Sequence, residues 1–79
     1  MDSDKQKEYL VILGRHLASL RKNRKLSYRK LAQHCDIDYS DIRKYEKGEI
    51  NMTFLTMIEF AKGLDVPLKE ILDLEIPVA

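Results

Sequence analysis

Residues 27–48 carry the local signals of two short helices separated by a turn, and no other feature of the sequence restricts the fold as strongly. Ser27 stands where the N-cap of the first helix is expected. The apolar side of that helix has i, i+1 and i+4 spacing and is formed by Leu31, Ala32 and Cys35. After a turn at residues 36–37, Asp38 is placed to cap a second helix, and Gly48 ends it as a C-cap glycine.

Two helices joined in this way form a helix-turn-helix, which presents its second helix to the major groove of DNA. A rotation of about 100° per residue assigns two faces to this second helix. Ile42 and Tyr45 form the inner face. The outward face and its flanks are formed by Tyr39, Ser40, Arg43, Lys44 and Lys47. Because lysine and arginine suit the O6 and N7 acceptors of guanine, the outward face predicts contacts with base edges.

The net charge is only +1, but the charges are unevenly distributed along the chain. Residues 9–35 contain no acidic side chain and seven basic ones, namely Arg15, Arg21, Lys22, Arg24, Lys25, Arg29 and Lys30. A basic block of this kind is either an electrostatic footprint for a polyanion or a solvated helix end and loop. We favour the first interpretation, because the block leads directly into the helix-turn-helix.

Three further helices are predicted around this unit, and the absence of any strand signal gives an all-α fold class. The first helix should run from about Lys5 to Asn23. Its core stripe recurs at three- and four-residue steps and consists of Leu10, Leu13, Leu17 and Leu20. Gly14 weakens this helix by up to ~1 kcal/mol relative to alanine. Close packing of the helix against a neighbouring element would explain the glycine.

The fourth and fifth helices follow the helix-turn-helix. The fourth is expected to begin after the cap Thr53 and to end at Gly63, with an inner face of Phe54, Met57, Ile58 and Ala61. The fifth begins around Asp65-Val66-Pro67 and carries Leu68, Ile71 and Leu72. A chain of 79 residues should form one domain. Its core is expected at about residues 9–73, between a short polar N-terminal lead and a short apolar C-terminal tail.

Five helices with the helix-turn-helix as the second and third resemble the repressor/Cro-like (XRE-type) family over roughly residues 9–73. The resemblance is carried by Leu13-Gly14, Leu20-Arg21-Lys22, Leu26-Ser27 through Leu31-Ala32, Ile42 through Tyr45-Glu46-Lys47-Gly48, Asn51, and Ala61-Lys62-Gly63-Leu64-Asp65-Val66. It implies a compact five-helix repressor/Cro-like domain that binds double-stranded DNA. Small members of this family resemble phage repressor heads, restriction-modification controller proteins and some antitoxins.

Two positions depart from the pattern of the family. Glycine is common at the turn between helices two and three, where this chain has Asp36. Aspartate tolerates the left-handed backbone conformation better than most residues, so the turn is expected to survive at some cost. Glutamine is common at the second position of helix two, where this chain has Tyr28. The tyrosine hydroxyl can still donate to a phosphate, although with a different reach.

The resemblance also implies which residues contact DNA, and it places the base readers at Tyr39, Ser40, Arg43 and Lys44. Phosphate contacts are expected from the start of helix two, the end of the recognition helix and the start of helix four, through Tyr28, Arg29, Lys47, Asn51 and Thr53. Glu46 lies toward the buried side of its helix, where an unpaired carboxylate is costly. Arg21 is its expected partner in a structural clamp, and the family pairs the same two positions.

Two of the residues near the groove have alternative interpretations. Tyr39 can press on a thymine methyl group, or it can shield its own helix at the surface. Asp41, like Asp36 and Asp38, is explained by stabilisation of the helix N-terminus. Asp41 can instead accept a hydrogen bond from cytosine N4.

Catalysis finds little support in the sequence. The soft or nucleophilic candidates are His16, His34 and Cys35, and adjacent helical residues diverge by about 100°. A metal site formed by His34, Cys35 and Asp38 is conceivable, but a core thiol and a surface histidine account for the same residues. A single cysteine suits a reducing cytoplasm, and neither a signal peptide nor an apolar stretch of ~20 residues is present. We therefore expect a non-enzymatic cytoplasmic protein without metal, cofactor or membrane contact.

Several apolar residues have no obvious place in the core and are expected to converge at one end of the domain: Ile50, Leu55, Leu74, Ile76 and Val78. They predict a homodimer interface, although the tail could instead fold back on its own core. A two-fold dimer would read half-sites about 34 Å apart. The sequence thus predicts a sequence-specific transcriptional regulator that binds a near-palindromic site. A protein-interaction module, such as an antitoxin-like or adaptor domain with a protein partner, is the alternative, favoured by the acidic start of the recognition helix.

Overall fold

The computed structural model describes residues 2–77, and all regular secondary structure in this range is helical. The helices are α1 (Ser3–Asn23), α2 (Tyr28–Ala32), α3 (Tyr39–Glu46), α4 (Phe54–Leu64) and α5 (Leu68–Ile71). The predicted all-α class, with the helix-turn-helix as α2 and α3, is confirmed. Within residues 2–77, no helix combines the length and the apolar character that a membrane crossing requires.

Helix α1 begins two residues earlier than the sequence indicated. The Asp2 carboxylate accepts hydrogen bonds from the backbone N–H groups of Asp4 and Lys5, at 2.8 and 3.4 Å. This cap extends the helix to Ser3, so most of the predicted polar lead is helical. The leucine stripe lies on the inner side as expected, with Leu17 fully buried at its centre.

Helix α2 is shorter than predicted, although its start is correct. The Ser27 hydroxyl accepts from the Lys30 N–H at 3.1 Å, but the helix ends at Ala32 and places Cys35 in the connection formed by residues 33–38. Asp36 does not adopt the left-handed conformation that we expected of it. Its backbone N–H instead donates to the Glu59 carboxylate of α4 at 2.8 Å. The connection therefore needs no glycine, because none of its residues has a left-handed φ, and Glu59 anchors it to α4.

Helix α3 is bounded by the two residues that the sequence indicated. Asp38 occupies the N-cap position, but its side chain makes no capping hydrogen bond. At the other end, Gly48 has a φ of +71°. A Cβ at this position would lie 2.7 Å from the backbone nitrogen of Val11, so both the conformation and the space favour glycine.

The prediction of the inner face of α4 is wrong, because a different side of the helix is buried. Thr53 caps the helix, since its hydroxyl accepts from the Thr56 N–H at 3.2 Å. Phe54, expected inside, is 60% exposed, whereas Phe60 is fully buried. The helix also continues past Gly63 to Leu64. Its C-cap is Asp65, whose φ of 55° is left-handed.

The centre of the core joins all five helices that the structure describes. Its fully buried side chains are Leu17, Leu31, Ile42, Phe60, Leu64 and Ile71. Tyr45 of α3 packs edge-on against Phe60, with the ring centroids 5.6 Å apart. Helix α5 is only one turn long, and Leu72, which we expected on its inner side, is 50% exposed beyond the end of the helix.

Gly14 allows α1 to lie directly against α3. A Cβ added at Gly14 would overlap the carbonyl oxygen of Glu46 and would lie 2.6 Å from that of Tyr45. Any side chain at this position would push the two helices apart. The close packing predicted for Gly14 is therefore confirmed, and it fixes the position of the last turn of α3 relative to α1.

Candidate nucleic-acid interface

Helix α3 presents one continuous polar face to solvent. The residues at i, i+1, i+4, i+5 and i+8 are all exposed, and they are Tyr39, Ser40, Arg43, Lys44 and Lys47. Ile42 and Glu46 are buried on the opposite side. Eight residues correspond to a helix about 12 Å long, which is close to the width of the major groove. All four predicted base readers thus share the exposed face of one short helix.

The exposed face of α3 is basic. Its only charged side chains are Arg43, Lys44 and Lys47, while Asp41 lies half-buried at the edge. In the part of the chain that the structure describes, the ion pairs within 4.0 Å are Lys5–Glu8, Arg21–Glu46 and Lys62–Glu59. The cations of this face are therefore available to an external anion. The exposed carboxylates nearest to the face in sequence are Asp38, directly before the helix begins, and Glu49, two residues after Lys47.

Arg21 and Glu46 form the contact that was expected of them. Arg21 Nε donates to Glu46 Oε2 at 2.6 Å, and Nη2 donates to Oε1 at 3.0 Å, in a two-pronged ion pair. Both residues are 8% exposed. Arg21 Nη1 also donates to the Leu26 carbonyl at 2.6 Å. One guanidinium thus connects the end of α1, the loop before α2 and the last turn of α3.

The ion pair stabilises the charged form of the arginine. The pKa of Arg21 is raised above its ordinary value, chiefly because its guanidinium donates hydrogen bonds to the Glu46 carboxylate. Burial acts in the opposite direction but is the smaller effect. Arg21 therefore stays charged at neutral pH, and no buried side-chain nitrogen or oxygen of the described residues lacks a hydrogen-bond partner.

Two arginine–tyrosine stacks lie where α2 begins. The Arg21 guanidinium lies over the ring of half-buried Tyr28, with its carbon 4.4 Å from the ring centroid. The Arg29 guanidinium lies over the ring of Tyr39, at 4.3 Å, and its Nη2 donates to the Tyr39 hydroxyl at 3.4 Å. Two predicted phosphate contacts, Tyr28 and Arg29, are thus already engaged with side chains of α1 and α3.

The start of α4 lies beside the end of the connection from α3. Asn51 and Thr53 are exposed there, as required of phosphate contacts. Each side-chain oxygen already accepts from a backbone N–H, of Met52 for Asn51 and of Thr56 for Thr53. The groups that remain for an anion are the Asn51 amide and the N–H groups in the first turn of α4.

The basic block of residues 9–35 is not wholly available to an external anion. Arg21 is neutralised by Glu46, and Arg24 Nη2 donates to the Asp65 carbonyl at the end of α4, at 3.1 Å. Lys25 has a left-handed φ of 57° and forms the corner between α1 and α2. The electrostatic footprint expected from this block is therefore smaller than the count of charges indicated.

Two residues that support the interface were not identified from the sequence. Lys7 Nζ donates to the Gly48 carbonyl at 3.0 Å, which places a cation at the C-terminal end of α3. Glu59 accepts from the Asp36 N–H, and this hydrogen bond is the main reason why the pKa of Glu59 is lowered. The only sequence signal for Glu59 is a carboxylate between the apolar residues Ile58 and Phe60. Nothing local indicates Lys7.

Two of the candidates for soft or nucleophilic chemistry, His16 and Cys35, contact backbone carbonyls. Cys35 is half-buried and donates to the Leu31 carbonyl at 3.4 Å, and burial raises the pKa of its thiol. His16 contacts the carbonyl of Glu70 at 2.6 Å. No group of three or more His, Cys, Asp and Glu side chains within residues 2–77 is arranged to hold a metal ion.

The residues expected to form a dimer interface differ in exposure. Leu55 is 74% exposed, and its neighbour Phe54 is 60% exposed. Ile50, Leu74 and Ile76 are half-buried, but they are not among the half-buried residues that pack on the core. Val78 lies outside the described residues. An apolar surface is therefore present at the start of α4.

Comparison with known proteins agrees with this geometry. A family model described as "Helix-turn-helix domain" matches residues 14–75. The chain belongs to this helix-turn-helix family, of the repressor/Cro-like type. A similar solved structure is the restriction-modification controller protein C.AhdI from Aeromonas hydrophila, with a TM-score of 0.78. The two are 30% identical, and the match covers 81% of this chain and 97% of that chain. No curated protein matches the chain in sequence.

The helix-turn-helix family match includes the whole exposed face of α3 and both members of the Arg21–Glu46 pair. Lys7 lies before the matched residues, so its contact with α3 belongs to a part of α1 outside the family model. Family and fold together support a DNA-binding transcriptional regulator.

Proposed function

We propose that this protein is a sequence-specific transcriptional regulator that inserts α3 into the major groove of double-stranded DNA and acts as a homodimer. The observation that carries the proposal is the exposed face of α3. It is basic and continuous, and it is mounted on a core that contacts only the opposite side of the helix. Such a face can approach base edges without any rearrangement of the domain.

The proposed base readers are Tyr39, Ser40, Arg43 and Lys44. Arg43 and Lys44 supply donors for guanine O6 and N7, and the serine hydroxyl can donate or accept. Tyr39 lies at the N-terminal end of the helix, which is the end that contacts bases in helix-turn-helix proteins. The half-buried position of Asp41 at the edge of the face supports a helix-stabilising role for its carboxylate.

The proposed phosphate contacts surround this face. Lys47 extends from the C-terminal end of α3, and Arg29 and Tyr28 from the start of α2. The Asn51 amide and the Thr53 region contribute from the start of α4. Contacts of this type fix the register of the protein on the duplex and make affinity dependent on salt.

The proposed dimer uses the apolar surface around α4. A side chain as exposed as Leu55 contributes little to the monomer, and Phe54 beside it enlarges the patch. Ile50, Leu74, Ile76 and Val78 are assigned to the same interface. A two-fold arrangement would place two α3 helices about 34 Å apart on one side of the duplex.

A protein-interaction module is the second candidate. The same exposed pair, Phe54 and Leu55, could contact a protein other than a second copy, and Asp36 and Asp38 weaken attraction to phosphates at the start of α3. The three available cations of α3 oppose this assignment.

The similarity to a restriction-modification controller suggests that the regulated gene belongs to such a system.

Selection of bound duplexes from a random library tests the DNA-binding proposal. We expect a near-palindromic consensus whose binding weakens steeply as salt increases. Failure to enrich any sequence, together with capture of a protein partner, would favour the interaction module.

Analytical ultracentrifugation tests the dimer, with Leu55→Lys as the disrupting variant. The matched control is Ser19→Lys, since Ser19 is an exposed polar residue on α1. We expect a dimer for the wild type and for the control, and a monomer for Leu55→Lys. A wild type that is monomeric at high micromolar concentration and binds a half-site as tightly as a full site would contradict the dimer.

A further inference from the structure

Arg29 belongs to α2 but lies against the first residue of α3. Its guanidinium carbon is 4.3 Å from the centroid of the Tyr39 ring, and Nη2 is 3.4 Å from the Tyr39 hydroxyl oxygen. Arg29 is exposed and Tyr39 is 42% exposed, so the stack lies at the surface of the domain. An arginine that only contacts phosphate does not need to stack on Tyr39.

The stack restricts the tyrosine in two ways. The guanidinium covers one face of the ring, which holds the ring by a cation–π interaction. The hydroxyl oxygen accepts from Arg29, so the hydroxyl hydrogen remains free to donate elsewhere. Tyr39 thus presents an oriented donor at the start of the recognition helix. The guanidinium retains further N–H groups for an anion, since it carries five donors.

We propose that Arg29 is a positioning residue for base recognition, which holds Tyr39 so that its hydroxyl donates to an acceptor on a base edge in the major groove. This inference rests on the proposed function and deepens it. Arg29 therefore contributes both to affinity for every sequence and to discrimination at the base pair that Tyr39 contacts. The acceptors that suit an oriented hydroxyl donor are purine N7, guanine O6 and thymine O4.

The neighbouring residues on α2 provide matched comparisons. Lys30 is an exposed cation on the same helix, and the two cation–π stacks of the described residues involve Arg21 and Arg29, not Lys30. Tyr28 has its own stack, with Arg21, and does not compete for Arg29. Lys30→Ala should remove a charge without affecting Tyr39, whereas Arg29→Lys should keep the charge and remove the planar stack.

The experiment measures binding of the full chain to the selected site and to its single base-pair variants. Tyr39→Phe first identifies the base pair at which discrimination is lost. At that base pair, Arg29→Lys should reduce discrimination about two- to fivefold, while the salt dependence of binding is unchanged. Lys30→Ala should weaken all duplexes equally. In the double variant, Arg29→Lys should add little to the effect of Tyr39→Phe, because both changes remove the same contact.

The outcomes separate the inference from the function on which it rests. A wild type with no preference among duplexes would overturn the proposed function and this inference with it. A wild type with a clear preference, but with an Arg29→Lys variant whose discrimination is unchanged or whose loss is equal on all duplexes, would overturn the inference alone. Strictly additive effects of the two substitutions would also overturn it.

Discussion

Loss of the Glu46 carboxylate is expected to destabilise the fold by about 2–4 kcal/mol, which is far more than a surface substitution costs. Removal of one member of a fully buried ion pair costs about 3–5 kcal/mol, because the other charge is left without a partner. In Glu46→Ala, Arg21 keeps its hydrogen bond to the Leu26 carbonyl and its stack on Tyr28. Because the guanidinium is then only partly unpartnered, the expected loss is roughly 1 kcal/mol smaller than for a fully orphaned charge.

The assay is urea unfolding followed by circular dichroism. A domain of this length has a total stability of about 4–12 kcal/mol, so Glu46→Ala can approach complete unfolding. The milder Glu46→Gln keeps an acceptor for one prong of the pair and provides a folded comparison. Replacement of both members with apolar residues, Arg21→Met with Glu46→Leu, should be more stable than Glu46→Ala alone, because no buried charge remains.

Additivity of the single variants would refute this reasoning. The matching single variants are Arg21→Met and Glu46→Leu. If the double replacement loses as much free energy of unfolding as these two variants lose together, the side chains do not act as a pair. A shift of the Glu46→Ala midpoint no larger than that of an exposed control, Ser19→Ala, would show that Arg21 reaches solvent once its partner is removed. In that case the ion pair would not hold α3 to α1.

Three further outcomes follow from the structure. Lys44→Ala should relax specificity at one base pair and weaken the binding free energy by about 1–3 kcal/mol. Lys47→Ala should weaken binding to all duplexes alike and reduce the dependence of affinity on salt. Binding isotherms at several salt concentrations test both outcomes. The pKa of Glu59 is lowered below its ordinary 4.5, so its contribution to stability is present above that pH and is lost as the pH falls through the lowered pKa. Glu59→Gln should reduce this loss of stability in acid, measured as urea midpoints at several pH values. Gly14→Ala should destabilise by about 1–3 kcal/mol or more in the same assay, because the added methyl meets backbone carbonyls of α3 that cannot move aside.

The exposed face of α3 could be predicted from the sequence because only one rotation of the helix buries its apolar residues. Ile42 and Tyr45 are the only large apolar side chains between Asp38 and Gly48 except Tyr39 at the start. Burial of this pair sets the direction of every other residue. The caps at Ser27 and Thr53 were predictable for a similar reason, since they depend only on neighbouring residues.

Helix α4 could not be predicted in this way, because it is apolar on more than one side. The stripe 54, 57, 58 and 61 and the stripe 57, 60, 61 and 64 have the same i, i+3, i+4, i+7 spacing and differ by about 60° of rotation. Only packing against the other helices selects the second, which buries Phe60 and leaves Phe54 exposed. The contacts of Lys7 and Glu59 were missed for a related reason, since their partners are 41 and 23 residues away.

The contact at Gly14 has a mechanical consequence for recognition. Where α1 meets the last turn of α3, backbone lies against backbone, with no intervening layer of side chains that could repack. Helix α3, the proposed recognition helix, therefore has little freedom to tilt or slide against α1 to improve its fit to a groove. In the proposed dimer, any adjustment must come from the angle between the two subunits or from bending of the duplex. Sequence-dependent DNA flexibility would then influence affinity at base pairs that the protein never touches.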